Sequence, residues 1–203
     1  MVAASSHVPG IHAVPGDLLC ERPLVPSRDQ PPVVPSRRVR VVHLAGPALD
    51  ALAAGDLRAA EAASPVPLTA YAAGPDWRGI WRMRSEQVRQ DPAAAGWVTG
   101  VVYDEDPGVV VGRAGFHGPP DASGMVEIGY EVEPAQRRRG YARAALELLL
   151  ERAAAEPDVR TVRVTIRPDN TASSSLTSQY GFVAVGEQWD DEDGLEVVYE
   201  RSA

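Results

Sequence analysis

Residues 126–150 read VEIGYEVEPAQRRRGYARAALELLL, and this stretch decides the fold. Val126, Ile128, Tyr130 and Val132 alternate with Glu127, Gly129, Glu131 and Glu133. That period of two places alternate side chains on opposite faces of a strand. Pro134 brings no backbone N–H and ends the ladder. Beyond Gly140, residues Ala142, Ala145, Leu146, Leu149, Leu150 and Ala153 recur at helical spacing, which predicts a helix with one apolar face.

Between strand and helix lies Gln136-Arg137-Arg138-Arg139-Gly140-Tyr141-Ala142. A helix start carries unpartnered N–H groups and the positive end of the dipole. Gly140 lets a ligand approach the backbone, Ala142 adds little bulk, and three arginines add charge. The product is an anion site suited to a phosphate or diphosphate. An ordinary helix start with solvated arginines is the plainer alternative. At these residues the chain resembles the GNAT superfamily of acyl-CoA-dependent N-acyltransferases. The superfamily pattern is Arg or Gln, two residues, Gly, one residue, then Gly or Ala. Arg137 through Ala142 fits it, after the family-like Val132-Glu133-Pro134.

A second resemblance lies downstream. Asp169-Asn170-Thr171-Ala172-Ser173 and the later Gly181-Phe182 look like the helix start and terminal Gly-Phe of the same superfamily. They are closest to its ribosomal-protein-alanine acetyltransferase branch. Asn170 offers donor and acceptor groups to an amide-rich pantetheine arm. It can equally cap the helix, with Gly181 ending it.

The bulk properties fit an ordinary soluble globular protein. The chain has 203 residues, 44% apolar and 24% charged. A net charge of -8 argues against a nucleic-acid binder and permits a cationic acceptor. Cys20 is the only cysteine, so neither an intrachain disulfide nor a zinc cluster of cysteines can form. His7 and His12 lack companion ligands, and no metal is expected. No apolar run reaches membrane length, and no secretory signal pattern is present. The expectation is a cytoplasmic protein with no membrane partner.

Residues 1–36 are Pro-rich and lack either period. They read as a flexible leader, or as a strap laid across the domain, which would occupy residues 37–203. A strand is predicted over Arg38–Leu44, then a helix opened by Pro47 and broken by Gly55, then a second short helix over Leu57–Ala63. Residues 75–90 are helical, with Trp77 and Trp81 either lining an acceptor pocket or packing in the core. Arg78, Arg82, Arg84 and Arg89 read as a solvated face. Strands over Gly96–Tyr103, Val109–His117 and Val126–Val132 would make an antiparallel meander, with Gly112 and Gly115 marking a bulge or a close backbone neighbour. Arg160–Ile166 returns after the helix, parallel to the central strand. Ser174–Tyr180 reads as a helix, and Phe182–Gln188 and Glu196–Arg201 as the last two strands. Trp189 to Gly194 would join them as an acidic loop, either drawing a cationic acceptor or simply solvated.

The resemblance covers residues 38–201. It implies a mixed α/β fold: a mostly antiparallel sheet of six to seven strands flanked by helices, with one splayed parallel pair. It implies an N-acetyltransferase that uses acetyl-CoA as co-substrate and no metal. The acceptor would be an amine-bearing small molecule or a peptide or protein N-terminus. A homodimer is common among relatives. Cofactor contacts are implied at Val132, Arg137, Arg138, Arg139, Gly140, Tyr141, Ala142, Asn170 and Ser173. Glu127 is the leading candidate for the base, and His117, whose ordinary pKa suits neutral pH, is its rival. Many relatives carry a tyrosine four residues before the Gly of Gly-Phe, where it serves the departing thiolate. Here that position is Thr177, and Tyr180 stands three residues later. That departure leaves open a non-catalytic acyl-CoA-binding module of the same fold.

Overall fold

A computed structural model describes residues 38–191 and 194–203. The leader assigned to residues 1–36 and the acidic Glu192 and Asp193 lie outside these residues. Among the described residues one sheet holds seven strands. They are β1 (Val39–Val42), β2 (Gly100–Asp104), β3 (Val109–Phe116), β4 (Met125–Val132), β5 (Thr161–Ile166), β6 (Val183–Asp190) and β7 (Gly194–Ser202). Their spatial order is β1-β2-β3-β4-β5-β7-β6. All neighbours are antiparallel except β4 and β5, which run parallel. Five helices flank the sheet: α1 (Gly46–Ala54), α2 (Leu57–Ala63), α3 (Pro75–Gln90), α4 (Tyr141–Ala155) and α5 (Thr171–Thr177).

Alternation along the strands feeds two apolar layers. Val126, Ile128, Val162, Val164 and Ile166 meet Tyr141, Ala145, Leu146 and Leu149 of α4 in one layer. Val42, Leu44, Val101 and Val110 meet Leu49, Leu52, Trp77 and Trp81 of α1 and α3 in the other. Both tryptophans are wholly buried, so the packing alternative holds for them. The parallel crossover from β4 through α4 to β5 is the central unit predicted above. Gly112 and Gly115 answer to close backbone neighbours: an added Cβ would lie 2.4 Å from the Glu131 carbonyl oxygen and 2.5 Å from Thr99 Cα.

Three expectations need correction. The strand drawn from Gly96 starts only at Gly100. The Asp91 side chain accepts from Ala93 N–H and Pro92 pre-sets φ, so residues Pro92–Gly96 wind into a 3-10 turn instead. Trp189, Asp190 and Gly194 are not loop residues, because β6 and β7 pair as far as Asp190 and Gly194. Arg84 is no part of a solvated face; it is 4% exposed.

Candidate active site

The ladder between β4 and β5 is short. It joins Met125 to Thr161, Val126 to Val162 and Glu127 to Arg163, and stops. Beyond that point β4 continues to Val132 on β3, while β5 continues to Ile166 on β7. The parallel pair therefore splays. Glu133 N–H bonds the Val111 carbonyl on β3, so by strand geometry Val132 directs its own N–H and C=O into the gap. The Val132 carbonyl accepts from Arg137 Nε at 3.2 Å.

A cavity of about 590 Å³ opens on this gap. Tyr130, Val132, Arg138, Gly140, Asn170 and Ser173 are among its lining residues. At its outer end the chain turns sharply: Arg138 has φ 63° and Gly140 φ 86°. Gly140 is the N-terminal flank of α4, and no side chain caps the helix there, nor does an acid stand in its first turn. The first bond within the helix runs from Ala144 N–H to the Gly140 carbonyl. The N–H groups of Ala142 and Arg143 therefore face the cavity mouth without a helical partner. This is a fit for a diphosphate: converging N–H groups, a positive dipole end and arginines. The Tyr141 side chain turns away, its hydroxyl donating to buried Asp104 at 2.6 Å, so only its backbone belongs to the site. Arg139 is not among the lining residues, and donates to Gln136 Oε1 at 3.0 Å.

The far wall is the start of α5. Asn170 Oδ1 accepts from Ser173 N–H at 3.1 Å, which caps the helix and fixes the amide beside the gap. Ser173 Oγ and Tyr130 Oη lie 2.7 Å apart and tie α5 to β4 across the gap. Thr177 is buried and donates to the Ser173 carbonyl at 3.1 Å, so its hydroxyl is spent on its own helix. Tyr180 Oη accepts from Arg143 at 2.7 Å and donates to Glu147 at 2.5 Å, which places it on α4. Neither residue stands in for the missing tyrosine.

The other face of β4, toward α3, carries the odd-numbered side chains. Glu131 takes two bonds from its cross-strand partner Arg113, the shorter 2.7 Å. Glu133 is buried, and Thr69 donates to it from the segment before α3. Burial pushes the Glu133 carboxyl above its ordinary value, although the Thr69 bond pulls the other way. Glu131 and Glu133 are thus each matched to a named partner on this face.

Glu127 and His117 come together. His117 N–H bonds the Glu127 carbonyl at 2.8 Å, extending the β3–β4 ladder by one residue. The Glu127 carboxylate accepts from Thr165 Oγ1 at 2.9 Å and lies 3.6 Å from His117 Nδ1. Gly129 leaves room for the ring, since an added Cβ would sit 3.1 Å from His117 Nε2. Desolvation by the atoms packed around it lowers the His117 pKa below its ordinary value, although nearly half of the side chain stays exposed; Glu127 opposes the shift, and Arg84 and Arg113 reinforce it.

Sequence reasoning missed Tyr130, Arg143 and Arg167 as lining residues. Tyr130 was legible, for it shares the parity of Val132 on one strand. Arg167 lies on a loop, where no period points.

The comparisons agree with this geometry. A family model described as "Acetyltransferase (GNAT) domain" matches residues 48–183. An uncharacterized N-acetyltransferase of Bacillus subtilis, YjdG, is 31% identical over 88 residues, covering 43% of this chain and 52% of that protein. The chain thus aligns with about half the length of that curated relative. The fold recurs in RimJ of Mycobacterium smegmatis, solved in complex with CoA-disulfide, at 21% identity and TM-score 0.52, covering 81% of this chain and 87% of that one. It recurs also in ribosomal-protein-S5-alanine acetyltransferase of Vibrio fischeri, at 14% identity and TM-score 0.54, covering 81% and 91%. Among the described residues no group of three or more His, Cys, Asp or Glu could hold a metal, and no helix is long and apolar enough to cross a membrane.

Proposed function

This chain belongs to the GNAT acetyltransferase family, and on that premise we propose that it transfers the acetyl group of acetyl-CoA to a primary amine. The observation that carries the reading is the splay: β4 and β5 part after Glu127, and a cavity runs from Tyr130 on β4 to the start of α4. The N–H groups of residues 140–143, with Arg138, hold the diphosphate. Val132 N–H and the Asn170 amide hold the pantetheine arm. From Val132 back to Glu127 is five residues of strand, about 16 Å. The arm laid along that edge brings the thioester to the level of Glu127.

Acetyl-CoA supplies an activated acyl carbon on a thiolate leaving group. An ammonium acceptor enters from the α3 side of the sheet. Glu127 receives its proton, held in place by Thr165, with His117 beside it. The neutral nitrogen then bonds to the acyl carbon as the carbon–sulfur bond breaks. The sulfur departs as thiolate, and the second proton shed by the acylated nitrogen reaches it through water, because Thr177 and Tyr180 are both engaged elsewhere. The acceptor is a small amine or a peptide or protein N-terminus.

Calorimetric titration with acetyl-CoA, followed by thiol release over a panel of amines, tests the reading. Binding with thiol release on some amine is the expected result. Binding with no release on any would favour an acyl-CoA-binding module instead, the reading to which the engaged Thr177 hydroxyl lends weight. No binding would overturn the site.

A further inference from the structure

Arg84 is a buried cation whose hydrogen-bond partners are all neutral. Its Nε donates to Thr99 Oγ1 at 3.2 Å. Its Nη1 donates to Gln87 Oε1 at 2.9 Å and to the His117 carbonyl at 3.2 Å. Gln87 Nε2 donates to that same carbonyl at 2.7 Å. Among the described residues no carboxylate lies within ion-pair distance of Arg84. Burying a guanidinium without one is costly. Burial, with Arg113 nearby and Glu127 opposing, brings its pKa down to about 10, which still leaves it charged at neutral pH. A helix face that needed only packing would carry an apolar side chain here.

The groups facing the His117 ring come from four elements: Glu127 on β4, Arg113 on β3, Arg84 and Gln87 on α3, and, behind Glu127, Thr165 on β5. Arg113 already spends its charge on Glu131. Arg84 does not.

We propose that Arg84 is a positioning residue for the Glu127–His117 pair: it clamps the His117 carbonyl at the end of β3 and, through its buried charge, helps hold the imidazole neutral and ready to accept a proton. The inference rests on the proposed transfer, whose proton it disposes of. At 3.6 Å, Nδ1 and the Glu127 carboxylate are not hydrogen-bonded, and a bridging water or a small ring rotation joins them. The ammonium proton reaches Glu127 and then Nδ1. The ring, its side chain 47% exposed, releases a proton from Nε2 to solvent. Glu127 is left ionised for the next turnover. A permanently protonated histidine would block that path.

Histidine C2–H resonances of the full chain, titrated by NMR, read the inference without acetyl-CoA or an acceptor. The chain has four histidines, and His117→Gln assigns the signal. In the wild type, His117 should titrate below its ordinary midpoint. Arg84→Met should raise the midpoint by about half a pH unit or more, and Arg84→Lys should keep it low. Gln87→Leu removes the neighbouring bond to the same carbonyl but no charge, and should leave the midpoint in place. A merely structural Arg84 would move it equally in all three. An unmoved midpoint in folded Arg84→Met overturns the inference. So does an ordinary or raised midpoint in the wild type, should that variant fail to fold. Thiol release fails separately: if no amine is acetylated while His117 still follows Arg84, the electrostatic unit stands and the transferase reading falls.

Discussion

Along the splayed edge that leads to α4, strand β4 presents backbone. Val132 turns its N–H into the gap, and the cavity ends on the first N–H groups of a helix whose flanking Gly140 has φ 86°. Toward α3, the same strand presents side chains: Glu127 against His117 and Thr165, Glu131 against Arg113, Glu133 against Thr69. Backbone donors bind any ligand of the right shape and charge, and few side-chain substitutions alter them. Paired side chains set protonation and acceptor fit, and each depends on its partner. The two sides should therefore fail independently, one in cofactor affinity and the other in turnover.

The largest expected effect falls on the backbone side. Gly140→Asp puts a carboxylate where the diphosphate would sit and a Cβ on a left-handed residue. The backbone cost is about 1 kcal/mol, which the fold survives. The like-charge clash is worth several kcal/mol, so affinity for acetyl-CoA should drop roughly a thousandfold by calorimetry. Unchanged affinity would remove the anion turn from the site.

Glu127→Gln should do the reverse. Turnover should fall about 100-fold while acetyl-CoA affinity holds, because a general base contributes on that order. The wild-type rate should have an acid limb set by His117. Its lowered value keeps it neutral to a pH below the ordinary histidine midpoint, and protonation below that point closes the proton path. If Glu127→Gln keeps wild-type turnover, the base lies elsewhere.

Gly129→Ala is subtler. Its Cβ would press on His117 Nε2 at 3.1 Å, and the ring must give by a few tenths of an ångström. Turnover should fall by about fivefold to tenfold, at unchanged cofactor affinity, since a displaced base costs roughly 1 kcal/mol or more. A fall in affinity instead would mean that the two sides of β4 are coupled.

The same contrast explains what could be read from the chain alone. The α4 side rests on spacing: Val132, then Gly140 and Ala142, on a strand and helix whose periods are plain. Local physics suffices there, so turn, helix and parallel return were all legible. The α3 side rests on register. That His117 meets Glu127 depends on which residue of β3 faces which of β4. Two candidate bases read as rivals are neighbours, and nothing in either segment says so. Arg84 is the sharpest case. On a helix with Arg78, Arg82 and Arg89 it looks solvated, and only the docking of α3 over the end of β3 buries it.

The smallest effect expected is on stability, at Glu133. Its carboxyl is raised above the unfolded value by burial. A group raised in the folded state contributes stability in full below its unfolded pKa and loses it as pH rises through the folded one. At neutral pH the wild type has therefore lost that contribution. Glu133→Gln keeps an acceptor for Thr69 and cannot ionise. It should melt about 2–4 °C higher than wild type at pH 7, as a gain near 1 kcal/mol would give in a chain of this size. The gap should close below pH 4, where both side chains are neutral. Equal melting temperatures at both pH values would mean that the bond from Thr69 balances the burial, and that the acid side of β4 is held as firmly as the backbone side.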